Sequence, residues 1–220
     1  MKLVWSPETA SKAYLDTVKS CEKIKESEVA EFLSALAAGW NAKFIVESWS
    51  NGGPIITSFG LAVAARNTGA RHVCIVPDDL SILQYTKSMA EMGVSPPPEV
   101  VAGEAEKVIS KLVGLDFLVV DCNQREFARV LRVAKVGNRG AVLACKNAWQ
   151  RNFSGFKWNV ALERGTRVVR SVFLPVGKGL DIAYIGSKNC SVAAVTTSKG
   201  PSRWIKHIDE KSGEEHLFRK

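Results

Sequence analysis

The stretch AKFIVESWSNGGPIITSFG, residues 42–60, constrains this chain most. A short apolar run, Phe44-Ile45-Val46, ends at the acidic Glu47. A small polar loop follows from Ser48, is closed by Gly52 and Gly53, and gives way to a helix-like apolar segment. Strand, acid, glycine loop and helix in that order make the opening unit of a nucleotide-type α/β fold. There the free N–H groups and dipole of the helix N-terminus, together with the loop, cradle a ligand. Close backbone approach ordinarily needs glycine soon after the acid, and here Trp49 holds that place.

The same rhythm continues along the chain. Further strands are expected at His72–Val76, Glu99–Val101, Asp116–Asp121 and Ala141–Cys145. Asp116-Phe117-Leu118-Val119-Val120-Asp121 is a continuous apolar run ending in an acid, the pattern of a central parallel strand with its functional tip at the C-terminal end. Helical periodicity fills the intervals. Before the sheet, a helix over 6–21 is capped by Ser6 with Pro7 at its first position, and a second over 28–38 stops at Gly39. Strands alternating with helices predict an α/β fold, a doubly wound and mostly parallel sheet. The pattern changes after Cys145. Residues 146–165 are a basic, aromatic connection, and Val168–Leu174 and Leu180–Ile185 are joined by a short turn into an antiparallel hairpin on the sheet edge. The expected organisation is one domain over 1–185, with 1–40 its helical part, a flexible linker over 186–202, and a hairpin-like tail over 203–220.

Carboxylates at strand ends nominate ligand contacts. Asp78 or Asp79, after the second strand, is placed to accept from the two hydroxyls of a ribose, or else caps the helix that begins near Ser81. Gly103 and Glu104 follow the third strand and Asp121 ends the fourth.

The net charge of +8 bears on partners. Residues 146–178 carry seven basic side chains against Glu163 alone, which makes an anionic partner or a solvated basic face equally good readings. No recognisable nucleic-acid motif accompanies them, so nucleic acid ranks last among partners. No apolar window approaches the roughly 18 residues that span a bilayer, and residues 1–8 show no secretory pattern. The five cysteines are scattered, as buried free thiols in a reducing compartment would be; the cytoplasm is expected, with the nucleus open. A homodimer is compatible with the sequence.

Three blocks sharpen the functional reading. DFLVVDCNQREFARVL (116–131), GAVLACKNAW (140–149) and SVFLPVGKGLDIAYI (171–185) resemble the fourth strand, fifth strand and closing hairpin of metal-dependent caffeoyl-CoA-type O-methyltransferases. These belong to the Rossmann-like class I S-adenosylmethionine-dependent methyltransferases, and the resemblance covers roughly residues 28–185. The whole sequence also resembles a plant family of the methyltransferase-like superfamily for which no reaction is established. The first resemblance implies S-adenosylmethionine as cofactor, with Glu47, Ser48, Gly52, Gly53, Asp78, Asp79, Gly103, Glu104 and Asp121 around it. Asp121 and Asn147 match two metal ligands. Lys146, however, stands where the family has its second aspartate, Gln124 where it has a catalytic lysine, and Asn123 where it has the next aspartate. A divalent cation needs net negative charge among its oxygen ligands. At an effective dielectric near 20, two unit charges about 4 Å apart interact by roughly 4 kcal/mol, so lysine and metal should exclude each other. The expectation is no metal, with Lys146 paired to Asp121. Asp121, Lys146 and Asn147 are the catalytic candidates near a small acceptor, which an ammonium would favour as an anion. Trp49 either stacks on the cofactor or plugs its pocket. The alternatives are a non-catalytic relative acting as a binding or scaffold protein, and, third, an anion or nucleic-acid binder using the basic segment.

Overall fold

The structure, a computed structural model, describes residues 4–21, 28–49, 52–124, 126–150, 156–187, 204–208 and 215–219. The chain divides into two compact units, Met1–Asn189 and Cys190–Lys220. The first unit begins with α1 (Pro7–Cys21) and α2 (Glu28–Gly39). It continues through β1 (Phe44–Ser48), α3 (Ile56–Thr68), β2 (Arg71–Val76), α4 (Asp79–Glu91), β3 (Glu99–Ala102), α5 (Ala105–Ile109), β4 (Val113–Leu115), β5 (Phe117–Asp121), α6 (Phe127–Val133), β6 (Lys135–Val136) and β7 (Ala141–Lys146). A 3-10 turn (Ala148–Gln150), α7 (Trp158–Ala161), β8 (Val168–Leu174) and β9 (Leu180–Ile185) complete it. In the second unit, β10 (Trp204–Ile208) and β11 (Glu215–Arg219) pair antiparallel, with Trp204 opposite Arg219. Residues 188–203, most of the expected linker, lie outside the described residues.

Seven strands form one sheet in the order β3-β2-β1-β5-β7-β9-β8. The first five are parallel, and β9 runs antiparallel to both β7 and β8. This is the expected α/β sheet with its closing hairpin. Sequence reading missed a two-stranded parallel sheet of β4 with β6 and the four-residue α7. Each is too short to show a period.

Alternation along the central strands splits the core into two layers. Leu118 and Val120 face Val130, Leu131 and Trp158, while Phe117 and Val119 face Leu33, Leu61 and Ala64. All five residues of β5 are buried, and each large apolar side chain there contributes roughly 1.5–3 kcal/mol relative to exposure. Helices α2 and α3 pack closely enough that a Cβ on Gly60 would lie 2.5 Å from the Ala30 carbonyl oxygen. Ser6 caps α1 as expected, accepting from the Thr9 N–H at 3.4 Å. Strand order reverses between β1 and β5, so their carboxyl ends open the crevice where such sheets hold ligands.

Candidate ligand site at the switch point

A cavity of about 550 Å³ lies at this edge of the sheet. Ser48 and Trp49 after β1, Ile75, Val76 and Pro77 after β2, and Gly103 to Glu106 after β3 form its walls. Gln124, Glu126 and Arg129, beyond β5, close the other side. Two buried polar atoms of lining residues have no hydrogen-bond partner among the described residues, the Ser48 hydroxyl and the Trp49 indole N–H. Trp49 is wedged edge-on against Tyr85, with ring centroids 5.6 Å apart, and packs with Ile56 and Phe59. It is therefore wall and core at once. Glu104 pairs with Lys107 at 2.9 Å and Glu126 with Arg129 at 2.7 Å, both at the exposed rim.

Glu47 faces inward beside this cavity. Its Oε1 accepts from the Tyr85 hydroxyl at 3.0 Å and lies 3.1 Å from His72 Nε2; its Oε2 accepts from the Ser58 hydroxyl at 2.9 Å. Burial alone would raise its pKa. The hydrogen bond and charge of His72, the charge of Lys146 and the Ser58 hydrogen bond outweigh that and hold it below the ordinary value. Burial beside this carboxylate pushes the Tyr85 hydroxyl and the Cys74 thiol strongly up, so both stay neutral. His72 follows the exposed Arg71 at the start of β2 and is buried with the apolar Val73–Val76. A histidine running straight into that apolar stretch is the signal by which sequence reading could have found the network, because a buried imidazole needs a partner.

On the other side of the switch point, Asp121 and Lys146 are register partners at the ends of β5 and β7, 3% and 5% exposed. Lys146 Nζ lies 3.7 Å from Asp121 Oδ2. Asp121 Oδ1 accepts from the Asn123 N–H at 2.9 Å and from Asn147 Nδ2 at 2.8 Å. Asn147 adopts a positive φ of 57°, a conformation that asparagine tolerates. The following turn is tied to the hairpin by Ala148 N–H to Gly179 O and Trp149 N–H to Lys178 O. None of Asp121, Lys146 and Asn147 lines the cavity.

The remaining sequence candidates separate. Ser48, Gly103 and Glu104 line the cavity. Gly52 takes a positive φ of 74° ahead of α3, and Gly53 follows it; neither lines the cavity. Asp78 caps α4: its Oδ1 accepts from the Ser81 N–H at 2.8 Å and hydroxyl at 2.7 Å, which hold its pKa below the ordinary value. Asp79 opens α4, exposed, and neither aspartate lines the cavity. Of the two roles open to Asp78, this geometry is the helix cap. The walls given by Ile75, Val76, Pro77, Ala105, Glu106, Glu126 and Arg129 were not singled out from sequence, since nothing local marks them.

Among the described residues, no three His, Cys, Asp or Glu side chains are grouped to hold a metal ion. The ammonium beside Asp121 opposes a divalent ion on the same carboxylate, so these residues do not fit one. Cys74 and Cys122 are free thiols, and among the described residues no helix is long and apolar enough to cross a membrane.

Solved structures share this fold. A methyltransferase from Geobacter sulfurreducens matches with a TM-score of 0.58 at 20% identity, over 81% of this chain and 89% of that one. An SAH-bound methyltransferase from Podospora anserina, PaMTH1, matches with a TM-score of 0.56 at 16% identity, over 84% and 89%. A Staphylococcus aureus protein assigned as a caffeoyl-CoA O-methyltransferase matches with a TM-score of 0.54 at 13% identity, over 78% and 92%. At these identities the likeness establishes a methyltransferase-like fold. No curated protein has a significant sequence match to the chain. A family model matches all of residues 1–220, and by that match the chain belongs to the family described as Protein of unknown function (DUF1442).

Proposed function

We propose that this protein binds S-adenosylmethionine, or its demethylated product S-adenosylhomocysteine, in the cavity at the switch point, and transfers a methyl group to a small acceptor without a metal. The cavity carries this reading. Its volume of about 550 Å³ lies within the range of about 300–1,000 Å³ usual for cofactor pockets. The apolar Ile75, Val76, Pro77 and Ala105 suit a flat base, while the Ser48 hydroxyl and Trp49 N–H are buried at its wall with no partner among the described residues. Those residues would hold the cofactor, which when bound supplies an electrophilic methyl group. Asp121, Lys146 and Asn147 stand beyond the opposite side of the switch point as the groups that position the acceptor. The expected compartment remains the cytoplasm.

One observation favours the alternative of a non-catalytic relative. The carboxylates best placed for a cofactor are already committed to the protein itself, Glu47 to Ser58, His72 and Tyr85, and Asp78 to Ser81. Isothermal titration separates the two readings. Methyl transfer requires saturable binding of both cofactor forms, weakened at least about tenfold by Ala105→Trp, which fills the cavity. Absence of heat with either form, in a folded protein, selects the non-catalytic relative.

A further inference from the structure

The seven-stranded sheet ends in two unlike edges. On β3, four residues long, Glu99 accepts twice from Arg71, at 2.9 Å each. On the far side β8 is seven residues long, and among the described residues only β9 pairs with it. A bulge interrupts that pairing between Val168 and Arg170, which leaves 170–174 as the regular stretch. Every second residue there turns its N–H and C=O away from β9, to where a further strand would pair. Side chains alternate about this edge. Val172 and Leu174 pack against the core layer of Leu33 and Leu180. Ser171 and Phe173 belong to the other face. Phe173 is 40% exposed, and its ring centroid lies 6.1 Å from that of Trp149, which is 57% exposed.

The charge around β8 is one-sided. Lys157, Arg164, Arg167, Arg170 and Lys178 are all exposed, and no described carboxylate forms an ion pair with any of them. The acids between 157 and 187 are Glu163 and Asp181, and Asp181 accepts from Trp158 Nε1 at 2.9 Å. A second copy joined edge to edge would set these cations against their own counterparts, and like charges across an interface oppose association. A nucleic acid would answer the cations and leave the N–H and C=O groups of the edge unanswered. An acidic strand answers both. We propose that β8 takes an additional strand from a partner protein, an extended segment in which acidic and apolar side chains alternate. Its apolar side chains lie beside Phe173 and Trp149, and its acidic ones on the face of Arg170. Main-chain hydrogen bonds supply the affinity of such strand addition, and alternate side chains its specificity. This gives the basic segment its anionic partner, and it stands independently of the methyl-transfer reading.

The test uses the full chain and fluorescence anisotropy of a labelled peptide of four glutamate-valine repeats. A lysine-valine peptide of the same length should bind at least about tenfold more weakly. Two further forms carry N-methyl groups, one at every glutamate and one at every valine. Because successive residues of a strand turn their N–H groups to opposite edges, one form should lose at least about tenfold in affinity and the other should not. Arg170→Glu should weaken the parent peptide at least about tenfold, while Arg132→Glu, an exposed arginine on α6, should leave it within about twofold. Phe173→Ser is the second variant should Arg170→Glu fail to fold, and it should weaken binding likewise. No binding of the parent peptide, equal binding of both N-methylated forms, or unchanged binding in the folded variants overturns the proposal. So does a labelled single-stranded oligothymidine that binds more tightly than the peptide. A dimer in sedimentation that Phe173→Ser breaks also overturns it, because a second copy then holds the edge.

Discussion

Glu47 and Asp121 are buried carboxylates at the carboxyl ends of neighbouring parallel strands, and the charge of Lys146 acts on both. Their surroundings differ. Both oxygens of Glu47 are occupied, by Ser58 on one and by His72 and Tyr85 on the other. Asp121 has one oxygen doubly occupied and the other 3.7 Å from an ammonium. A buried charge with both oxygens hydrogen-bonded by the protein holds the fold together. One with capacity left over is available to a ligand, because the group that completes it recovers part of the desolvation cost.

The largest effect is expected at the closed carboxylate. Glu47→Ala strands His72, Tyr85 and Ser58 and should cost about 3–5 kcal/mol, a fall in Tm on the order of 10 °C by calorimetry. Glu47→Gln should cost less, about 1–3 kcal/mol, and should also flatten the acid limb of the stability curve. Because the native pKa of Glu47 is depressed, its stabilisation is complete above the ordinary carboxylate range and is lost as pH falls through the native value. An acid limb unchanged in Glu47→Gln would mean that Glu47 is not the closed, structural charge described here.

Next comes the support of the open side. Gly179 has a φ of 83°, and a Cβ there would lie 1.6 Å from Trp149 Cδ1. Gly179→Ala should cost about 1–3 kcal/mol and shift the fluorescence of Trp149, the indole that follows Lys146 and Asn147 in the chain. A smaller change is expected when the open pair is neutralised altogether. Lys146→Met with Asp121→Asn should move stability by about 1 kcal/mol at most, in either direction, since a neutral replacement removes the desolvation penalty together with the attraction. A loss as large as that of Glu47→Ala would erase the distinction between the two carboxylates. Smallest of all is Asp78→Ala. Removing the α4 cap should lower thermal stability slightly and leave S-adenosylmethionine affinity within about twofold by calorimetry. A loss above tenfold would restore Asp78 to the ribose.

The sheet was legible because its strands are continuous apolar runs bounded by turn residues, as in Phe117–Val120, and a pattern of that kind belongs to the strand itself. The pairing of Asp121 with Lys146 was legible for a similar reason: adjacent parallel strands bring their ends together. The network of Glu47 was not, since Ser58, His72 and Tyr85 come from three elements and share no spacing. Asp78 shows the converse. A helix cap and a ribose contact ask for the same residue at the same strand end, and only the distance to Ser81 separates them. Trp49 occupies a glycine position, but whether such a ring fills the cavity or walls it depends on Tyr85, 36 residues away in the sequence.

The most direct measurement is a crystal structure of the protein grown with saturating S-adenosylhomocysteine. The expected result is ligand density in the cavity bounded by Trp49, Pro77, Ala105 and Gln124, with Glu47 still held by Ser58, His72 and Tyr85. Density for the ligand elsewhere on the chain, or none at saturating concentration, would contradict the assignment of this cavity as the cofactor site.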